Sequence, residues 1–230
     1  MSNIDCVIFD LDGTLIDGTE GILSSVKYLI KKHNLADISE EELLSFIGPP
    51  IQNSLKKVYN LTDEQAQIYA NTFREKYKNE DVYKAKIYNN IDVLLKNLKS
   101  NGYKLGIATY KREDYARSLV THLGFDIFMD LTCGADNENK LTKKDILQKC
   151  IFDLKSTPEN TVFVGDSLSD GIAANELGCK FIAVTYGFGF KSLEETKKCS
   201  PILIADCVEN ISNFFVNKNN LTYNYLIERD

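Results

Sequence analysis

Asp10 and Asp12 stand one residue apart in the stretch Cys6-Val7-Ile8-Phe9-Asp10-Leu11-Asp12-Gly13-Thr14-Leu15. Like charges held this close are costly unless something cationic lies between them. A second acidic run, Gly165-Asp166-Ser167-Leu168-Ser169-Asp170, and a threonine, Thr109, each follow an apolar run of their own. Converging carboxylates favour a hard cation with oxygen ligands. Mg2+ fits best, because it keeps several waters and binds through one or two carboxylates plus a substrate phosphate. Phosphoryl transfer depends chiefly on positioning and on neutralising charge on the transferred group. One carboxylate can attack phosphorus and form an aspartyl-phosphate. A second can give a proton to the leaving oxygen and later take one from water. Asp10 and Asp12 would supply these two roles.

The elements that must position these groups can be read from the apolar pattern. Val7, Ile8 and Phe9 form a short run of β-formers suited to a strand covered on both faces. Gly13 then allows a turn that residues with a Cβ resist. The segments 104–109 and 161–165 read as further strands, ending at Thr109 and at Gly165 just before Asp166. A short strand is expected at 128–133, and two more at 181–184 and 202–205. Helices are expected between them, at 91–100, 113–123, 143–152, 173–177 and 208–215. This alternation indicates an α/β fold, a doubly wound parallel sheet. Parallel strands bring their carboxyl ends, and so Asp10, Asp12, Thr109 and Asp166, to one edge.

Residues 16–83 break the rhythm. They read as helical, with capping boxes at Ser39/Glu42 and Thr62/Gln65 and a helix breaker at Gly48-Pro49-Pro50. The run is too long for a simple strand-to-helix connection and reads as an inserted helical domain. The expected organisation is an α/β core of residues 1–15 and 84–216, the insertion at 16–83, and a polar tail at 217–230. Tyr69, Phe73 and Tyr77 are expected in the core of the insertion. Lys111 and Arg112 are expected as solvated surface charge.

Composition narrows the function classes. The net charge of −6 argues against a general nucleic-acid binder, which would show a basic face. No segment reaches the roughly 18 apolar residues of a membrane span. The first residues lack a basic-then-apolar leader pattern, and none of the six cysteines forms a CxxC pair. A cytoplasmic, reduced protein is expected, with no nucleic-acid or membrane partner.

Together, DLDGTL at 10–15, Thr109 and GDSLSD at 165–170 resemble the motifs of the haloacid dehalogenase-like superfamily. The helical insertion after the first motif resembles that superfamily's C1 cap, and Gly48-Pro49-Pro50 is similar to its phosphoglycolate phosphatase-like subgroup. The resemblance implies a Rossmann-like core. It also implies Asp10 as nucleophile and metal ligand, and Asp12 as general acid/base offering its backbone carbonyl to Mg2+. Asp166 is implied as a metal ligand, and Asp170 as a ligand or as the group that orients one. Thr109 is implied to bind the phosphoryl oxygens. The expected substrate and phosphate contacts are Gly13, Thr14, Thr109, Tyr110 and Gly48; Tyr110 stands where relatives often carry Asn or Ser. The superfamily also has a lysine beside the nucleophile. The usual Lys-Pro signature is missing here, so Lys140, Lys143 and Lys144 are the candidates, with Lys143 preferred because it opens a helix. The expected activity is a Mg2+-dependent phosphatase that hydrolyses a small phosphomonoester, phosphoglycolate-like or a nucleotide, through an aspartyl-phosphate; the expected partner is a small phosphorylated metabolite, and the protein is expected as a monomer or weak homodimer. A β-phosphoglucomutase-like mutase is a weaker fit, since no histidine follows the first motif closely. A non-catalytic phosphate-binding module also fits less well, since every acid the chemistry needs is present.

Overall fold

The computed structural model describes residues 4–227. Strand β1 (Cys6–Phe9) leads through a two-residue strand, β2 (Ile16–Asp17), into helices α1 (Thr19–Lys32), α2 (Glu40–Leu44), α3 (Ile51–Tyr59) and α4 (Asp63–Asn79). The chain returns along β3 (Lys86–Ile87) to α5 (Ile91–Ser100), β4 (Lys104–Arg112), α6 (Glu113–His122), β5 (Leu131–Ala135) and α7 (Lys143–Asp153). It continues through β6 (Thr161–Gly165), α8 (Leu168–Leu177), β7 (Lys180–Val184), α9 (Leu193–Lys197), β8 (Leu203–Ala205) and α10 (Val208–Ile227).

Six strands form one parallel sheet in the order β5-β4-β1-β6-β7-β8. The central strand β1 is fully buried, and its side chains alternate between two apolar clusters. Val7 and Phe9 pack on the face covered by α5, α6 and α10, against residues such as Leu94, Leu119 and Ile211. Cys6 and Ile8 pack on the face covered by α7 and α8, against Ile146, Leu147 and Ala174. Burial on both faces is why the strand reads as an unbroken apolar run. Each buried Val, Ile or Phe side chain contributes about 1.5–3 kcal/mol.

The sheet is anchored at the edge that matters by its register. Phe9 pairs with Ile107 on β4 and with Val164 on β6. Asp10, Thr109 and Asp166 therefore emerge side by side just past the paired residues.

Both capping boxes expected in the insertion are formed. Two more, Thr142/Asp145 and Ser167/Asp170, set the starts of α7 and α8. Each cap contributes about 1 kcal/mol. Helices α1, α3 and α4 pack together through Leu29, Leu55, Ala66, Ala70 and Phe73.

The structure departs from the sequence reading in several places. Residues 16–83 are not wholly helical. Ile16 and Asp17 pair antiparallel with Ile87 and Lys86, and Tyr88 donates its N–H to the Leu15 carbonyl. The chain thus leaves and re-enters the core as a two-stranded ribbon, too short to show a period-2 pattern. Strand β4 runs three residues beyond Thr109, through an irregularity that re-pairs Arg112 with Ala135. Strand β5 begins at Leu131 because Phe125–Ile127 form a 3-10 turn. Residues 217–227 are not a separate tail but continue α10; residues 228–230 lie outside the described residues. No described helix is long and apolar enough to cross a membrane.

Candidate active site

At the end of β1 the backbone stays tied to the sheet, with the Asp10 N–H donating to the Val164 carbonyl. The chain then folds tightly, as Leu15 and Ile16 donate N–H bonds back to the Leu11 carbonyl. Gly13 takes φ +82°, and a Cβ there would collide with the Asp166 carboxylate. Glycine is needed both for that backbone angle and for the close approach.

Asp10 Oδ1 accepts the Leu11 N–H at 2.7 Å and lies 3.0 Å from the Lys143 ammonium. The same ammonium lies 2.9 Å from Asp170. Asp170 also accepts from the Ser167 hydroxyl (2.6 Å) and N–H (3.1 Å). One carboxylate thus caps α8 and faces the cluster. Asp166 Oδ2 accepts the N–H groups of Phe188 and Gly189 at 3.0 and 2.9 Å. Oxygens of Asp10, Asp166 and Asp170 all lie within 4.8 Å of one another, and all three residues are buried.

Of the three lysine candidates, Lys143 alone enters the cluster. Lys140 pairs with Glu138 at the surface, and Lys144 with Glu176. The Thr142 cap makes Lys143 the first residue of α7, and its side chain is 3% exposed. Tyr110 holds it in place. The phenol oxygen accepts the Lys143 N–H at 3.0 Å, and the ring lies 5.0 Å from the ammonium. Expected as a substrate contact, Tyr110 has its hydroxyl engaged by α7.

Asp12 has a different partner, Lys111, at 2.9 Å. Its other oxygen, Oδ1, has no hydrogen-bond partner among the described residues. Lys111 corrects the sequence reading, which placed it in solvent: its side chain is 5% exposed and also bonds the Tyr77 hydroxyl. It lies two positions past Thr109, in the stretch where the β4 register shifts between Ala108 and Arg112. That spacing was the available signal. Tyr77 likewise is not purely packing, since it reaches from α4 to the core lysine. Thr109 is buried, and its hydroxyl accepts the Lys111 N–H at 3.2 Å.

Thr14, expected to contact phosphate, is fully buried away from the cleft, and its hydroxyl has no partner among the described residues. Its carbonyl accepts from the Tyr186 hydroxyl. The 186–190 loop was not singled out from sequence. Gly187 and Gly189 are needed there because a Cβ at either would strike Asp166.

A cavity of about 90 Å³ lies between the inserted helices and the core. Asp12, Tyr110 and Lys111 form its core side. Gly48, Pro49, Pro50 and Gln52 line the opposite side with Phe73, Arg74 and Tyr77.

Burial and the charges of Asp170 and Asp10 push the Asp166 carboxyl up to about 8. Burial pushes Asp170 up to about 6, against the opposing pull of Lys143. Burial raises Asp12, with Lys111 opposing. Burial disfavours the Lys143 ammonium, but Asp10 and Asp170 outweigh it and hold it charged. When all are ionised, the four carboxylates face only two ammonium groups, leaving a formal charge of −2. A buried surplus of this size, on oxygen donors alone, fits a divalent hard cation.

Residues 7–184 match the haloacid dehalogenase-like hydrolases as a family. The chain belongs to that family. Over 184 residues it is 30% identical to a 5'-nucleotidase of Pseudomonas aeruginosa, covering 80% of this chain and 83% of the relative. It is 30% identical to a phosphoglycolate phosphatase of Aquifex aeolicus, covering 79% and 85%. The crystal structure of a predicted phosphatase from Clostridium acetobutylicum superimposes with a TM-score of 0.87 at 32% identity, over 94% of this chain and 100% of that one. As in the family, a parallel six-stranded sheet flanked by helices carries the site.

Proposed function

We propose that this hydrolase is a Mg2+-dependent phosphatase of small phosphomonoesters, working through an aspartyl-phosphate on Asp10. The observation that carries the reading is the division of labour at the end of β1. Asp10 sits among buried acids beside Lys143, while Asp12, two residues on, opens into the cleft beside Lys111. The relatives named for 5'-nucleotides and phosphoglycolate support small phosphorylated metabolites as the substrate class.

In the first step the Asp10 carboxylate attacks phosphorus, and the bond from phosphorus to the ester oxygen breaks. Asp12, raised by burial, delivers its proton to that oxygen as it leaves. In the second step Asp12 takes a proton from water, which attacks phosphorus and releases phosphate from Asp10. Thr109 and Lys143 hold phosphoryl oxygens. Asp10, Asp166 and Asp170 would hold Mg2+ together with the Asp12 carbonyl, and the ion would supply neutralisation of the phosphoryl charge. The inserted helices act as a cap that keeps bulk water out. No nucleic-acid or membrane partner enters this reading, and a cytoplasmic location suits it. A phosphomonoester panel with and without Mg2+ tests it; absence of phosphate release from every compound would sink it.

Lys111→Met is expected to move the pH profile. Without the ammonium, Asp12 keeps its proton to higher pH. The first step needs that proton, so the alkaline limb of kcat/KM should shift upward by about one pH unit. An unmoved limb would remove Asp12 from the acid role.

A second expectation concerns metal removal. Asp166, near 8, and Asp170, near 6, both lie above the ordinary carboxylate range. Between about pH 5 and 8 the folded metal-free protein therefore holds protons that the unfolded chain has released. Its stability falls as pH rises through that window. Mg2+ competes with those protons, so its increment in Tm should be larger at pH 8 than at pH 5. Thermal melts in EDTA and in Mg2+ measure this, and equal increments at the two pH values would contradict it.

A further inference from the structure

Two arginines line the cleft without a part in the proposed chemistry, Arg74 and Arg112. Arg74 projects from α4 one turn before Tyr77, on the same face, and is 8% exposed. Its Nη1 donates to the Asn137 carbonyl at 2.8 Å and to Asn137 Oδ1 at 2.9 Å. Arg112 Nη1 donates to that same Oδ1, also at 2.9 Å. Two guanidinium groups are thus held within two hydrogen-bond lengths of each other.

Their charges are not equally matched. Arg112 has Asp114 on its Nε and Nη2, at 2.6 and 2.5 Å, and its guanidinium lies over the Tyr115 ring. Among the described residues no carboxylate comes within ion-pair distance of Arg74. The nearby acid lining the cavity, Asp136, spends its oxygens on the N–H groups of Glu138, Lys140 and Leu141. Burial and the charge of Arg112 work against the Arg74 cation and outweigh the longer-range pull of Asp114 and Asp136. A buried cation without a counter-charge is costly, and a guanidinium fork suits a carboxylate or phosphate. Arg74 and Arg112 line the same small cavity as Asp12 and Lys111.

We propose that Arg74 and Arg112, held together by the Asn137 oxygens, form a subsite for a second anionic group on the substrate, so that the substrate carries a carboxylate or second phosphate besides the phosphoryl group that reacts at Asp10. This rests on the phosphatase reading and narrows it to small phospho-compounds that carry a second, separate anionic group. Arg74 comes from the cap, and Arg112 and Asn137 from the core. Filling the subsite therefore joins the two.

Steady-state kinetics with 2-phosphoglycolate, pyrophosphate and ethyl phosphate test the subsite in the wild type, Arg74→Met and Arg74→Lys. The wild type is expected to prefer one of the two compounds with a second anionic group over ethyl phosphate by about tenfold or more in kcat/KM. Which one it prefers separates carboxylate from phosphate. Arg74→Met should erase that preference through KM, and Arg74→Lys should restore part of it. No preference in the wild type, or an equal loss on all three compounds in Arg74→Met, overturns the subsite and leaves Arg74 a cap latch.

Calorimetry on the Asp10→Asn protein, with phosphonoacetate, methylenediphosphonate and methylphosphonate, separates this idea from the phosphatase reading. Tighter binding of phosphonoacetate or methylenediphosphonate than of methylphosphonate, lost with Arg74→Met, supports the subsite even if turnover is never seen, in which case only the phosphatase reading falls. Equal binding of all three ligands overturns the subsite.

Discussion

Asp10→Asn is expected to abolish phosphate release, by at least about 10⁴-fold, while the protein keeps its fold. The amide is close in shape to the carboxylate but cannot attack phosphorus. Its contacts explain why the fold should survive. An amide oxygen can still accept the Leu11 N–H, and Lys143 keeps Asp170 as its partner. Removing one of three crowded acids also relieves the repulsion that helps raise Asp166 and Asp170. The metal-free variant should therefore melt no lower than the wild type at pH 8. Phosphate-release assays and thermal melts on the same preparation measure both effects. Full activity in a folded variant would end the proposed mechanism.

Lys143→Ala is expected to damage both stability and turnover. The ammonium sits 3.0 Å from Asp10 and 2.9 Å from Asp170, almost wholly out of solvent. Taking away one partner of a buried ionic cluster leaves charge without compensation and costs about 3–5 kcal/mol. The remaining carboxylates can escape part of that cost by taking up protons. The loss should therefore be larger at pH 8 than at pH 5, and Mg2+ should recover some of it. Lys143→Met keeps the aliphatic stem and removes only the charge, so it separates electrostatics from the cavity that alanine leaves. Turnover should fall by about 10²–10⁴ in both variants, because the phosphoryl group loses a positioned cation. Lys140→Ala and Lys144→Ala serve as controls, since their ammonium groups pair at the surface. Denaturant unfolding at the two pH values decides the stability question. If all three lysine variants behave alike, the role assigned to Lys143 is wrong.

Much of the architecture was legible because it rests on local physics. An unbroken apolar run followed by two acids marks a central strand and its exit. Side-chain caps three residues ahead of Glu or Gln mark helix starts, and those at Ser39 and Thr62 form as the sequence suggests. The convergence of Asp10, Thr109 and Asp166 follows from parallel strands alone. The β2–β3 ribbon escaped notice because two-residue strands carry no periodicity. Their partner lies some seventy positions away.

Residue types and spacing by themselves determined the acid pair, the threonine, the second acidic run and the α/β frame, since these depend on near neighbours and on a general rule of topology. Only the tertiary structure decided which charges are buried and what they face. Lys111 looks like any surface lysine until β4 continues past Thr109 and turns it onto Asp12. Arg74 stands out by nothing in the sequence until α4, one of the inserted helices, packs it against Asn137. Burial and long-range pairing set the energy of a charge, and neither is a property of its neighbours in the chain.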